Sequence, residues 1–396
     1  MAALTLDLRP GSGLGSFTLG MPVCEALAHV EQHRSVFDVV QIKYNDEEPL
    51  KYDLVVSFPE HGFHLRFEPR SQRLRIIEIF DIQRLQMRYA TSSIGGPTIA
   101  ATFVAVYALF GPTFPGTYDT KRCIYALFYP GLSFAFPIPA QYKECCQQRE
   151  ADLPLEFPDG TTPVMSRVCI YDSSVGGGVG VGDSLRKAVL PQLASGSSYM
   201  EEVHAKLAEE LCFTGGRKLP FGASPQDVWG LLGRPDGIHQ KQVDPMVIHS
   251  ASDPRPRTAL CGDYFYNYFS RGLDILFDGQ HHRIKKFVLH TNFPGHTDFN
   301  CYIKCNFFIH VPPAETSEDV HVGLNGDAPQ PVITAFTKFA EVQEILGDGG
   351  RAAIQTQGSV SNPFGPTFVY GYRNIALEVM KNGYLATVTL FQTNPS

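Results

Sequence analysis

Phe221-Gly222-Ala223-Ser224-Pro225-Gln226-Asp227-Val228-Trp229-Gly230-Leu231-Leu232-Gly233-Arg234-Pro235 opens the stretch, 219–293, around which the chain is organised. Ser224 is placed to cap a helix, Pro225 suits its first position, and Asp227 completes a capping box. Val228, Leu231 and Leu232 form one apolar face. Gly233 ends the helix and Pro235 blocks its return. Three strand-like runs follow: Tyr264 to Phe269, Leu273 to Phe277, and Ile284 to His290 after the turn at Asp278-Gly279. The unit reads as one capped helix with three antiparallel strands.

The same order recurs along the chain. The helix ending V-x-x-[L/I]-[L/F]-G stands at Val228 to Gly233, Val106 to Gly111 and Val342 to Gly347. The strand pattern G-[L/F]-x-[I/F/L]-x-F stands at Gly272 to Phe277, Gly131 to Phe136 and Gly62 to Phe67, with a degenerate copy at Asn374 to Val379. Internal repetition at this spacing predicts a modular fold. The expectation is an α+β protein: tandem repeats of one helix packed on a three- to four-stranded antiparallel sheet, about four units in two halves.

Working outward, 1–172 forms an N-terminal half of two such units, and 219–396 a C-terminal half of two. Between them, 173–218 reads as a Gly-rich linker, with Gly176 to Gly182 at its centre, and a helix over Tyr199 to Cys212, where Val203, Leu207 and Leu211 recur every four residues. Segments 139–162, 238–262 and 312–331 read as irregular insertions. Asn382-Gly383 is a hairpin turn.

The 396 residues, 43% apolar, provide ample core. A net charge of −7 argues against a general nucleic-acid binder. No apolar run reaches the ~20 residues of a membrane span, and no signal peptide is evident. Nine scattered cysteines without a secretory signal read as reduced thiols. These features predict a cytoplasmic protein.

Chemistry-bearing clusters are few. His290, His296, Cys301 and Cys305 offer zinc-type ligands, but their H-x5-H-x4-C-x3-C spacing matches no zinc knuckle, so no metal is expected. The glycine run lacks a phosphate-loop pattern, and no nucleophile elbow occurs. No catalytic residue and no cofactor is expected. Arg73 with Arg75, and Arg283 with Lys285 and Lys286, are either solvated strand faces or contacts for lipid headgroups. Phe293, Pro294 and His296, with Pro363 and Phe364, lie on aromatic turns that either anchor a partner or pack beneath a sheet.

Gly262-Asp263-Tyr264-Phe265-Tyr266-Asn267-Tyr268-Phe269, Gly272 to Asp278 and Lys285 to His296 resemble the phagosome (phagophore) assembly factor 1 family. Phe17 to Pro22 and Asn362 to Gly365 match it in the same order. The resemblance covers nearly the whole chain, with departures in 139–218 and 238–258. It implies a non-enzymatic autophagy scaffold or adaptor, in complex with a WD-repeat β-propeller protein and recruited to pre-autophagosomal structures, with phosphoinositide contact made indirectly through that partner. Two other classes stay open: a ligand- or phosphoinositide-binding module, and a hydrolase with a cleft between repeat units.

Overall fold

The computed structural model describes residues 4–113, 116–143, 153–174, 187–193, 198–241, 262–312, 331–355 and 364–393. The chain divides into two compact units, 1–197 and 198–396. The first runs β1 (Leu4–Arg9), β2 (Gly13–Leu14), β3 (Phe17–Thr18), α1 (Val23–Gln32), β4 (Gln41–Lys43), β5 (Leu54–Phe58), β6 (Phe63–Phe67) and β7 (Leu74–Ile79). It continues with β8 (Leu85–Tyr89), β9 (Ser92–Gly95), α2 (Phe103–Phe110), β10 (Thr117–Asp119), β11 (Ile124–Tyr129), β12 (Leu132–Pro137) and β13 (Arg167–Tyr171).

The second unit repeats this order. It has β14 (Glu202–Lys206), β15 (Glu210–Phe213), β16 (Arg217–Pro220), α3 (Pro225–Leu232), β17 (Gly237–Gln240), β18 (Tyr264–Tyr268), β19 (Leu273–Phe277) and β20 (Ile284–His290). Then come β21 (Asn306–His310), β22 (Val332–Thr334), α4 (Phe339–Leu346), β23 (Ala353–Gln355), β24 (Thr367–Tyr372), β25 (Ile375–Val379) and β26 (Leu385–Phe391).

The expected α+β fold of separate helix-on-sheet units does not form. The protein is mostly β, with four short helices among the described residues and four sheets of five or eight strands. Each four-stranded meander is half of a larger sheet. β7 pairs with β13, and β20 with β26, giving the orders β10-β11-β12-β13-β7-β6-β5-β4 and β17-β18-β19-β20-β26-β25-β24-β23. The physical reason lies in the joining strands. β7 and β13 are buried on both faces along most of their length, and such a strand left at an edge would expose unpaired backbone and apolar surface. The second sheet of each unit, β3-β2-β1-β8-β9 or β16-β15-β14-β21-β22, contains one parallel pair, β1 with β8 or β14 with β21.

Alternation along the strands sets the cores. In the second unit Leu273, Ile275, Phe287, Leu289, Val388 and Leu390 share one cluster with Val203, Ala205, Phe307 and Ile309 of the smaller sheet, and with Val228 of α3 and Val342 of α4. A buried side chain of this size contributes about 1.5–3 kcal/mol. The capping box at Ser224 and Asp227 forms as the sequence suggests, and Gly233 closes α3 with φ +82°.

The Gly-led strand motif also has a steric cause. Gly62 and Gly272 are left-handed, and a side chain at either would strike a backbone carbonyl, of Asp81 or Ile303 respectively. The helix expected over Tyr199 to Cys212 is instead the hairpin β14–β15, turning at Ala208 with φ +61°. The four-residue spacing that suggested a helix is equally the inward alternation of a strand: Val203, Ala205, Leu211 and Phe213 all face the core. The glycine run, Gly176 to Gly182, lies outside the described residues.

A buried polar cluster on the C-terminal sheet

One face of the eight-stranded sheet in the second unit is apolar and belongs to the core. Alternation sends Asn267, Asp274, His290, Thr387 and Glu378 to the other face. A strap, residues 291–305, crosses this face. The Thr291 hydroxyl donates to the Leu385 carbonyl at 2.6 Å, and the Cys305 amide donates to the His290 carbonyl at 2.8 Å. Phe293 packs on Tyr384, and the Lys304 ammonium sits 4.4 Å from the centre of the Phe293 ring.

Two polar groups lie beneath the strap. In the first, Asp274 accepts from His290 Nε2 at 2.9 Å, from the Tyr302 hydroxyl at 2.8 Å and from Asn267 Nδ2 at 2.8 Å. Tyr302 stacks on His290 with ring centres 3.6 Å apart, and His239 Nδ1 donates to the Asn267 side-chain oxygen. Burial pushes the Tyr302 hydroxyl far above its usual range, and the Asp274 charge adds to the shift, so it remains a donor. In the second group, Glu378 accepts from His296 Nε2 at 3.2 Å and from the hydroxyls of Thr367 and Thr387 at 2.7 and 2.8 Å.

Burial alone would raise Glu378. The hydrogen bonds from His296 and Thr367 outweigh it, and the carboxyl is held at about 2. Burial likewise opposes charge on His296, but the bond to Glu378 and its charge win and raise the imidazole. The Asp298 amide lies 3.3 Å from Nδ1. Glu378 and His296 therefore neutralise each other. Asp274 accepts from three donors and Glu378 from three.

The sequence candidates separate under this geometry. His290 and His296 serve different carboxylates, Cys305 is buried, and Cys301 is exposed. Among the described residues no group of three His, Cys, Asp or Glu is placed to hold a metal. Phe293, Pro294 and His296 are all buried, so they form part of the strap's inner side and not an outward anchor. Phe364 is exposed, and Pro363 lies outside the described residues.

Of the cations, Arg75 pairs with Asp53 at 2.6 Å, and Lys285 bridges Asp278 at 2.6 Å and Asp263 at 3.2 Å. Burial raises Asp53, and Arg75 offsets this only in part. Arg73 Nη1 donates to the Gly20 carbonyl and Arg283 Nη1 to that of Gly222. Lys286 is exposed, 5.8 Å from the Phe391 ring centre. Arg73 and Arg75 do not present a free cationic face together.

Asp274, Glu378 and Tyr302 were not among the candidates that the sequence suggested. The signal was present: an acid at an inner position of an apolar strand, as in Leu273-Asp274-Ile275 or Leu377-Glu378-Val379, requires a buried partner.

Comparison with known proteins agrees with the motif resemblance. The family model for phagosome assembly factor 1 matches residues 13–391. A PHAF1 protein of Arabidopsis thaliana is 66% identical, over 99% of this chain and 94% of its own length. A PHAF1 protein of Drosophila melanogaster is 33% identical over 99% of this chain and 95% of its own. One of Caenorhabditis elegans is 30% identical over 96% and 93%. No solved structure matches. The chain belongs to the phagosome assembly factor 1 family.

Proposed function

We propose that this protein is a non-enzymatic scaffold or adaptor of autophagy, working in the cytoplasm with a WD-repeat β-propeller partner and recruited with it to the forming autophagosomal membrane. The observation that carries this reading is the family match over 13–391, with relatives aligned along nearly their whole lengths. The family is described by assembly, and assembly needs surfaces more than reactive atoms. The three donors that Asp274 and Glu378 each meet within the fold support it, because both carboxylates are engaged in structural hydrogen bonds. No helix among the described residues is long and apolar enough to cross a membrane, so membrane contact in this reading runs through the partner.

The test is affinity purification of the tagged chain from cells, with mass spectrometry of what accompanies it. The reading expects a WD-repeat propeller in near-equal amount, and fewer autophagosomes when the gene is deleted. Recovery of the chain with no propeller, and normal autophagosome formation on deletion, would overturn it. Phe364, exposed on its turn, is the first position to substitute in mapping the contact.

A further inference from the structure

The five-stranded sheet of the second unit carries a histidine pair on its outer face. Parallel pairing of β14 with β21 sets His204 beside Phe308 and Lys206 beside His310. Val203, Ala205, Phe307 and Ile309 belong to the core, so alternation turns Glu202, His204, Phe308 and His310 to the other side. The His204 ring stacks on Phe308, with centres 5.0 Å and planes 17° apart, and this contact fixes its orientation. From there Nδ1 of His204 comes within 3.0 Å of Nε2 of His310. The opposite nitrogen of His204, Nε2, lies 3.4 Å from Glu202 Oε2. Both histidines are half-buried.

We propose that His204 and His310 form a two-ligand site for a divalent late transition-metal ion, bound through Nδ1 of the first and Nε2 of the second, with water in the remaining positions. Two metal–imidazole bonds of ~2.0–2.1 Å at right angles place their nitrogens about 3 Å apart. That is the separation seen here. A tetrahedral ion would need about 3.3 Å. The pair therefore suits the square or octahedral preference of nickel(II) or copper(II) better than tetrahedral zinc. Glu202, accepting the N–H at Nε2, leaves the lone pair of His204 on Nδ1, as a carboxylate behind a metal-bound histidine does. In the metal-free chain His310 Nε2–H donates into that lone pair. When the ion enters, this proton passes through water to His310 Nδ1, and the ring stays neutral.

The surroundings admit the ion. Lys206 lies beside His310, but its ammonium is drawn to Glu210 at 3.3 Å, and Lys218 reaches the same carboxylate at 3.1 Å. Cys212 stands opposite His204 on β15, with its thiol 3.6 Å from Glu210 Oε1. The other close histidine pair, His29 and His33, is built differently: the ring centres are 4.3 Å apart, and His33 Nδ1 donates to the His29 carbonyl at 2.8 Å. The two proposed ligands are 106 positions apart in the chain. An ion held between them ties β14 to β21, the strands that open the two repeats of this unit, so binding should also stabilise the fold.

The test is calorimetric titration of nickel(II) into the full chain, with thiols reduced and chelator removed, beside thermal melts with and without the ion. The wild-type chain should bind one equivalent at this site and melt at a higher temperature with nickel than in EDTA. His204→Asn and His310→Asn should each weaken binding by at least about tenfold, and Glu202→Gln by about tenfold. All three should melt near wild type in EDTA and lose the nickel-dependent rise. Cys212→Ser and His33→Asn should bind as wild type does. A wild-type chain that takes up no nickel would overturn the proposal, as would binding that persists in the His204 and His310 variants. So would binding that disappears in Cys212→Ser or His33→Asn, since the ion would then sit on other ligands.

Discussion

The eight-stranded sheets of the two units share one strand order but neutralise their outer faces by different means. Gly62-Phe63-His64-Leu65-Arg66-Phe67 and Gly272-Leu273-Asp274-Ile275-Leu276-Phe277 are the same strand in two copies. His64 takes the place of Asp274, and Phe80 that of His290. In the N-terminal unit His64 stacks on Phe80 at 4.2 Å, and its Nδ1 is buried with no hydrogen bond. Burial is the chief cause that holds this imidazole down at about 4, against the pull of Glu78. Glu78 is met by Arg66 and Arg167, each at 2.7 Å, whose side chains are partly open to water. In the C-terminal unit the carboxylates are met by histidine, tyrosine and threonine, all roofed by the strap. The scaffold thus fixes where polar positions fall, while the local covering decides whether charge is tolerated. Neutralisation that reaches solvent is replaceable; neutralisation under a roof is not.

The largest expected effect follows from that contrast. Asp274→Ala leaves His290, Tyr302 and Asn267 without their shared acceptor in the interior, and should cost about 3–5 kcal/mol. Glu78→Ala frees two arginines that can turn to water, and should cost about half as much or less. Chemical denaturation of the two variants measures both. Equal losses would break the comparison.

Next comes Gly272→Ala, which forces a side chain onto the Ile303 carbonyl at a left-handed position. A loss of about 2–3 kcal/mol is expected. Gly233→Ala, also left-handed but with open space around it, should lose only about 1 kcal/mol. Thermal melts of the pair separate collision from backbone strain.

Between pH 7 and about 5, acidification should act in opposite directions on His64 and on His296. His64 binds its proton less readily folded than unfolded, so its contribution is present above the ordinary histidine value of 6.5 and is lost as pH falls from there toward 4. Replacing it with phenylalanine should lessen the fall in melting temperature between pH 7 and 5. The pair His296–Glu378 behaves otherwise. Raised His296 contributes fully below 6.5 and loses this as pH rises through its folded value. Depressed Glu378 contributes above about 4.5 and loses this as pH falls toward 2. The advantage of wild type over Glu378→Gln should therefore peak between about pH 4.5 and 6.5. An advantage that grows steadily to pH 9 would refute the assignment. The smallest effect belongs to Lys286→Ala, exposed and without a salt bridge among the described residues, which should stay within about 0.5 kcal/mol.

Much of the strand order was legible in the sequence because it is local. The alternation in Leu273 to Phe277, the caps around Ser224 and Gly233, and the turn at Asn382-Gly383 each depend on neighbours a few residues away. Joining β7 to β13 depends on residues about ninety positions apart, and nothing in either strand names the other. The burial of Phe293 and His296 was hidden for the same reason, since the strap is defined by Tyr384 and Glu378 far along the chain. Spacing alone did not separate a hairpin from a helix at 199–212.

In the proposed scaffold reading the buried polar cluster holds the fold and performs no chemistry. The direct test is rescue of deletion cells with His290→Gln and Tyr302→Phe, which remove proton-transfer capacity while largely keeping shape. At matched protein level, both should restore autophagosome number to that given by the wild-type chain. A variant that folds, reaches the same level and still fails to restore it would show that those groups act in the function itself, and the scaffold account would be wrong.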